Sequence, residues 1–201
     1  MSDSYLIPAR ASETQFREKM SRFISFAIPV QTAAEAKQEA ARIANEYHDA
    51  RHVCYAYAIG RYRNETYSTD NGEPSGTAGR PILGQIVSAG VSDVVVVVVR
   101  YFGGIKLGTS GLIQAYREAA AMALAEAGTE EKTVTQDILV TFPFIVMNEV
   151  MKIAKSGDVK VVNQEFDNTC RIMFRVRESL VENIGNRISD IDGAMCEIIT
   201  K

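Results

Sequence analysis

Six consecutive valines, Val94–Val99, constrain this chain more than any other stretch. A β-strand points successive side chains to opposite faces, so a run without a polar residue at either parity leaves no face for water. It predicts a central strand covered on both sides or closely flanked. Two segments of different character bracket it. Asp70–Arg80 (DNGEPSGTAGR) is dense in turn formers and predicts a surface loop, and Arg100–Gly108 (RYFGGIKLG) is rich in glycine. A buried strand that feeds two neighbouring loops can present polar groups to a ligand.

The remaining elements follow from periodicity and from stop signals. Residues 14–20 and 22–28 read as two strands. Thr32 and Glu35 form a capping box that opens a helix over 32–48, with Ala36, Ala40, Ile43 and Tyr47 at helical spacing. Val53–Ile59 and Glu65–Thr69 read as a hairpin. Pro81 suits the first turn of a helix striped by Ile82, Leu83, Ile86 and Val87 and ended by Gly90. After the glycine loop, Thr109 or Ser110 is positioned to cap a long helix with Leu112, Tyr116, Ala119 and Ala123 on one face, which Gly128 stops.

The charged run Glu130, Glu131, Lys132 suggests a junction between two domains, 1–129 and 130–201. In the second, strand 133–142, helix 145–156, strands 158–165 and 169–177, helix 180–191 and strand 194–199 give the order βαββαβ. Cys170, Ile172, Phe174 and Val176 alternate with Arg171, Met173, Arg175 and Arg177, and Ser179 with Glu182 forms another capping box. The fold class expected is α+β, with a ferredoxin-like second domain whose arginine face is open.

The whole chain bounds the function. With 201 residues, 46% of them hydrophobic, it can bury a sizeable core. Its apolar runs fall well short of the roughly 18 residues of a membrane helix, and MSDSYLIPARASE lacks the basic and apolar regions of a secretory leader. Cys54, Cys170 and Cys196 are widely spaced with no C-x-x-C pair, so reduced thiols and a cytoplasmic location are expected. The net charge of −3 argues against wholesale coating of nucleic acid. Locally the balance differs: Arg51–Arg117 holds seven basic residues against four acidic, whereas the stretch from Glu130 onward holds nine against twelve.

Several constellations could carry chemistry. Gly103, Gly104, Gly108 and Gly111 lie between the buried strand and a helix, where N–H groups and the helix dipole hold anions, and Lys106 adds a full charge. Thr109 stands at the same helix start. The spacing matches neither a P-loop nor a dinucleotide fingerprint, so no cofactor is implied. A tight connection needs glycines for its backbone angles as well. Arg100 follows the valines, and Arg80 closes the first loop; Tyr101 and Phe102 beside Arg100 suit a stacked base or simply anchor the loop. In the first loop Asp70, Asn71, Glu73, Ser75 and Thr77 form a polar set fit for acid–base work, for a divalent cation or for turns and caps. His48 and His52 are four apart, but the helix is expected to end between them, which argues against a zinc site. His52 and Cys54 share a strand face, a weak pointer to a thiol nucleophile.

HDARHVCYAY at 48–57, TDNGEPSGTAGRP at 69–81 and VVVVRYFGGIKLGTSGL at 96–112 resemble the Impact/YigZ family, over residues of roughly 15–127. The βαββαβ unit resembles the additional domain of its bacterial members. The resemblance implies a first domain folded like the second domain of a small-subunit ribosomal protein and like domain IV of elongation factor G, and a second domain like the last domain of that factor. It also implies a role in translational regulation, because eukaryotic members restrain an amino-acid-starvation kinase by competing for its activator. No catalytic residues are established in the family. Arg51 and Val53 depart from the Thr and Asn of its His-x-Cys block. The expected role is therefore a non-enzymatic, translation-associated binding module contacting RNA, the ribosome or a translation-linked protein through Arg80, Arg100, Gly103, Gly104 and Lys106. The alternatives are an enzyme acting on a phosphorylated small molecule, with Asp70 or Glu73 as base, and a protein-only adaptor using Arg171, Arg175 and Arg177.

Overall fold

The computed structural model describes residues 3–167 and 169–199. The described residues divide into two compact units, one of Tyr5–Lys132 and one that begins at Thr133 and includes Asp3 and Ser4.

The first unit is built on a five-stranded sheet. β1 (Ser4–Pro8) lies outside it; β2 (Ser12–Glu18) and β3 (Ser21–Pro29) form a hairpin, followed by α1 (Ala33–Glu46), β4 (His52–Ile59), β5 (Glu65–Thr69), α2 (Gly79–Ser88), β6 (Val94–Tyr101) and α3 (Gly108–Ala127). The strand order is β2-β3-β6-β4-β5, with β6 central and antiparallel to both neighbours. All six valines are buried. Val94, Val96 and Val98 pack under Ile82 and Ile86 of α2 and Leu112, Tyr116 and Ala119 of α3. Val95, Val97 and Val99 pack under Ala36, Ala40 and Ile43 of α1. The sheet is thus clad by helices on both faces, which is why the run carries no polar residue.

Local chemistry fixes most of the boundaries. Thr32 caps α1 by accepting from the Glu35 amide at 3.1 Å, and the Glu35 carboxylate reaches back to the amide of Gln31. Gly128, at φ +63°, ends α3. Neither Thr109 nor Ser110 caps that helix: it begins at Gly108, after Leu107, with no side chain on its first amides. Glu130–Lys132 forms the middle of β7 (Thr129–Thr133), which pairs with β1 in a two-stranded ribbon. Lys132 and Tyr5 of that ribbon both grip the Asp93 carboxylate, at 2.6 Å each, and the Gly60 amide donates to it at 2.8 Å.

The second unit runs β8 (Thr135–Pro143), α4 (Met147–Ala154), β9 (Val159–Glu165), β10 (Thr169–Arg177), α5 (Val181–Ser189) and β11 (Met195–Ile199), in the sheet order β11-β8-β10-β9. This is the ferredoxin-like arrangement. Ile172, Phe174 and Val176 of β10 share one core with Val150 and Ile153 of α4 and Ile184 and Ile188 of α5. Two expectations fail in detail. Ser179 does not cap α5; its amide and hydroxyl are engaged by the Asp3 carboxylate. The arginine row is also partly neutralised, because Arg175 forms a bidentate pair with Asp137 of the neighbouring strand at 2.7 and 2.8 Å. Arg171 and Arg177 are exposed.

Candidate functional site

Strand parity assembles the floor of the site. Arg100 continues the Val94, Val96, Val98 parity of β6, so its side chain points to the α2–α3 face rather than to α1. Register places Phe23 of β3 and His52 of β4 directly opposite it. At this end of the sheet the apolar core therefore gives way to a polar cluster.

Arg100 Nη1 donates to Glu73 Oε1 at 2.6 Å, and the hydroxyl of Tyr116 on α3 donates to the same oxygen at 2.9 Å. The Arg100 and Glu73 side chains are only 6% and 3% exposed. Arg100 Nη2 reaches Ser21 Oγ at 3.4 Å, while its Nε is buried without a partner. His52 Nε2 lies 3.9 Å from Glu73 Oε1, and its Nδ1 lies 3.2 Å from the Asn71 carbonyl oxygen, which places a proton on Nδ1. The Cys54 thiol donates a hydrogen bond to the Asp70 carbonyl at 2.8 Å, with Sγ 3.5 Å from the Tyr116 hydroxyl. Burial pushes the Cys54 thiol up to about 12 and also raises Tyr116. A thiol buried and held that high disfavours the thiolate that a His52–Cys54 nucleophile would need at neutral pH.

The first loop is a scaffold for Glu73. Asp70 Oδ1 accepts from the amides of Ala78 and Gly79 at 2.9 and 2.8 Å, and Oδ2 from Gly76 at 2.7 Å. Burial opposes ionisation of Asp70, but these three N–H groups outweigh it and hold the carboxyl below its ordinary range. Asp70 thus staples the loop to the start of α2 and is unavailable as a base. Asn71 Nδ2 ties the loop to the Val53 carbonyl at 2.9 Å, and Thr77, fully buried, bonds the Pro74 carbonyl. Ser75 is exposed. Three amides at this end of the loop, those of Gly76, Ala78 and Gly79, are spent on Asp70 and are not free for a guest shared with the second loop.

A cleft of about 500 Å³ opens over this cluster, lined by Arg51, His52, Gly72, Glu73, Pro74, Arg100, Phe102, Lys106, Leu107, Gly108, Thr109 and Leu112. Glu73, Arg100, Phe102, Lys106, Gly108 and Thr109 are accordingly brought together. Arg80 is not: it lines a separate depression with Gly76, Gln85 and Arg117. Tyr101 has the opposite parity to Arg100 and turns to the α1 side, where its hydroxyl bonds Asp49 at 2.7 Å under the Arg22 guanidinium. Gly103 and Gly104 do not line the cleft. Gly103 is needed for packing, because a Cβ there lies 2.1 Å from the Met20 backbone of the β2–β3 turn.

Electrostatically, Glu73 and Arg100 cancel. What remains is the exposed charge of Arg51 and Lys106 and the positive end of the 20-residue helix α3, whose first amides carry no side-chain cap. The cleft is therefore suited to an anion. Motif reading missed Arg51 on the cleft wall and, beneath it, Ser21 and Tyr116, which bond Arg100 and Glu73; Tyr116, a hydroxyl on an otherwise apolar helix stripe, was the available signal. Among the described residues no three His, Cys, Asp or Glu side chains gather to hold a metal ion. No helix among them is long and apolar enough to cross a membrane.

Comparison with known proteins agrees with the motif reading. Residues 19–124 match the Impact N-terminal domain. The chain is 29% identical to the IMPACT family member YigZ of Escherichia coli (strain K12), over 98% of both chains. It is 39% identical to the IMPACT family member YvyE of Bacillus subtilis (strain 168), over 66% of this chain and 61% of that one. A solved structure described as that of a hypothetical protein superposes with a TM-score of 0.72 at 28% identity, covering 100% of this chain and 98% of the other. The chain belongs to the Impact family, and residues 19–124 are its Impact N-terminal domain.

Proposed function

We propose that this chain is a translation-associated regulatory protein that binds RNA phosphate, on the ribosome or free, in the cleft between the 70–80 loop and the start of α3. One observation carries the reading: Arg51, Lys106 and the uncapped helix end add positive charge to a concavity whose buried carboxylate is already neutralised by Arg100. Membership of the Impact family supports the link to translation. Arg51 and Lys106, both exposed, are the contacts; Arg100 holds Glu73 and the cleft wall in place.

The test is cosedimentation with ribosomes and with single-stranded RNA over a salt series. Each phosphate contact contributes about −0.7 to the salt slope on a single strand, so two contacts give a shallow dependence. Lys106→Ala and Arg51→Ala weaken binding and each flatten the slope by about that amount. Unchanged affinity and slope in both variants would overturn the reading. Capture of protein alone from nuclease-treated lysate would replace it with the adaptor reading.

The enzyme reading keeps one supporting observation. Glu73 Oε1 takes both hydrogen bonds, which leaves Oε2 as an acceptor at the cleft floor. Turnover of a phosphorylated small molecule that is lost in Glu73→Gln, with the fold retained, would favour it.

A further inference from the structure

The cleft has a second pole that a simple anion does not use. Glu73 sits at its floor with unequally employed oxygens: Oε1 receives Arg100 and Tyr116, and among the described residues Oε2 receives nothing. A carboxylate oxygen accepts hydrogen bonds and repels phosphate. Phe102 also lines the cleft, 44% exposed, its ring centroid 5.6 Å from the guanidinium carbon of the same Arg100 that pairs with Glu73. An exposed aromatic face, an acceptor-only atom and a cationic rim therefore occupy one concavity. A ligand that meets all three carries a flat ring for Phe102, N–H donors for Glu73 and a phosphate for Lys106, Arg51 and the α3 amides.

Among the common nucleobases, guanine places two adjacent donors, N1–H and the 2-amino group, on one edge. The amino groups of adenine and cytosine adjoin an acceptor nitrogen, and the uracil N3–H lies between two carbonyl oxygens that a carboxylate repels. We infer that the cleft is a guanine-nucleotide subsite, which takes a guanosine 5′-phosphate either free or as one unit of single-stranded RNA. This rests on the anion-cleft reading above and adds the base that accompanies the phosphate. Phe102 stacks on the guanine, Glu73 Oε2 accepts from its donor edge, and Lys106 with the α3 amides holds the phosphate.

Titration calorimetry of the full chain with GMP, AMP, CMP, UMP and inorganic phosphate tests it, followed by RNA hexamers with and without guanine. GMP is expected to bind about tenfold tighter than the other three nucleotides, the worth of a donor-edge hydrogen bond to the charged Oε2. Phe102→Ala lowers GMP affinity about tenfold and leaves inorganic phosphate unchanged. Glu73→Gln levels the four nucleotides, with retention of fold checked by circular dichroism. A guanine hexamer that binds more tightly than GMP identifies RNA as the source, and equal binding identifies the free nucleotide; both support the subsite. Four nucleotides of equal affinity, indifferent to Phe102→Ala, overturn the guanine subsite while leaving the anion cleft intact. Phosphate binding that ignores Lys106→Ala overturns the anion reading itself.

Discussion

Glu73 and Arg100 meet at 2.6 Å with side chains 3% and 6% exposed, 27 residues apart in sequence and joined only by the return of a loop over the end of β6. At that depth water compensates poorly for the loss of either partner. Arg100→Ala is therefore expected to destabilise the chain by about 3–5 kcal/mol in urea unfolding, because it leaves a buried carboxylate uncompensated. The double change Arg100→Met with Glu73→Leu recovers most of that loss. A cost below about 1 kcal/mol for the single variant is what a solvent-exposed pair gives, and it contradicts the burial described.

Cys54 gives an alkaline signature. Burial pushes its thiol up to about 12, against about 8.5 in an unfolded chain. The unfolded chain therefore loses the proton first. The stability contributed by the neutral thiol is complete below about pH 8.5 and is lost as pH rises toward about 12, at up to about 1.4 kcal/mol per pH unit. Urea midpoints at pH 8 and pH 10 measure it, and Cys54→Ala is expected to show the smaller fall between them. In the native chain iodoacetamide should leave Cys54 unmodified at pH 8.

How much of this was legible in the sequence depends on which signal places each residue. The valine run fixes a central strand, and period-2 alternation alone puts Arg100 with Val98 and Tyr101 with Val99, so the separation of Arg100 from Tyr101 was readable before any coordinates. The return of Glu73 onto Arg100 was not. It depends on Asp70 collecting the amides of Gly76, Ala78 and Gly79, and periodicity carries no information about a loop that folds on its own carboxylate. Arg80 and Lys106 are both cations in glycine-rich loops, yet the turn into α2 carries Arg80 to another depression. The β1–β7 ribbon went unread because a mostly exposed strand such as TEEKT lacks an apolar face, and its pairing is held instead by Tyr5 and Lys132 on Asp93.

Gly103 and Gly104 separate two uses of glycine. A Cβ on Gly103 lies 2.1 Å from the Met20 carbonyl group, so Gly103→Ala must displace the β2–β3 turn, at a cost of about 1–3 kcal/mol. Gly104 has φ +87° and open space where a Cβ would stand. Gly104→Ala costs about 1–2 kcal/mol from backbone strain alone, and Gly104→Asn less. In thermal unfolding, Asn is therefore expected to rescue position 104 and to fail at 103.

Asp93 adopts φ +55° while accepting from Tyr5, Gly60 and Lys132. Asp93→Asn keeps the tolerance of Asp for that backbone region but removes the charge, whereas Asp93→Ala removes both. Burial opposes ionisation of Asp93, yet Lys132, Tyr5 and Gly60 together hold its carboxyl below the ordinary range. The stability it contributes is accordingly present above about pH 4 and lost as pH falls through the lowered native value. The expected order is wild type, Asn, Ala at pH 7, with the gap between wild type and Asn closing below pH 4. A gap that persists in acid would show that geometry rather than charge holds the ribbon.

Lys106 and Arg80 test where the anion goes. Both are exposed cations, and their removal changes net charge equally, so any effect of net charge alone is the same for the two. Lys106 shares its concavity with the uncapped start of α3, whereas Arg80 lies beside Arg117 and Gln85 in the other. Lys106→Ala is expected to weaken inorganic phosphate binding about three- to tenfold, and Arg80→Ala by less than twofold, a loss of about 1 kcal/mol for one charge-assisted contact against nearly none. Raising the salt concentration narrows both effects. Equal losses would mean that the phosphate responds to overall charge and that the start of α3 does not hold it.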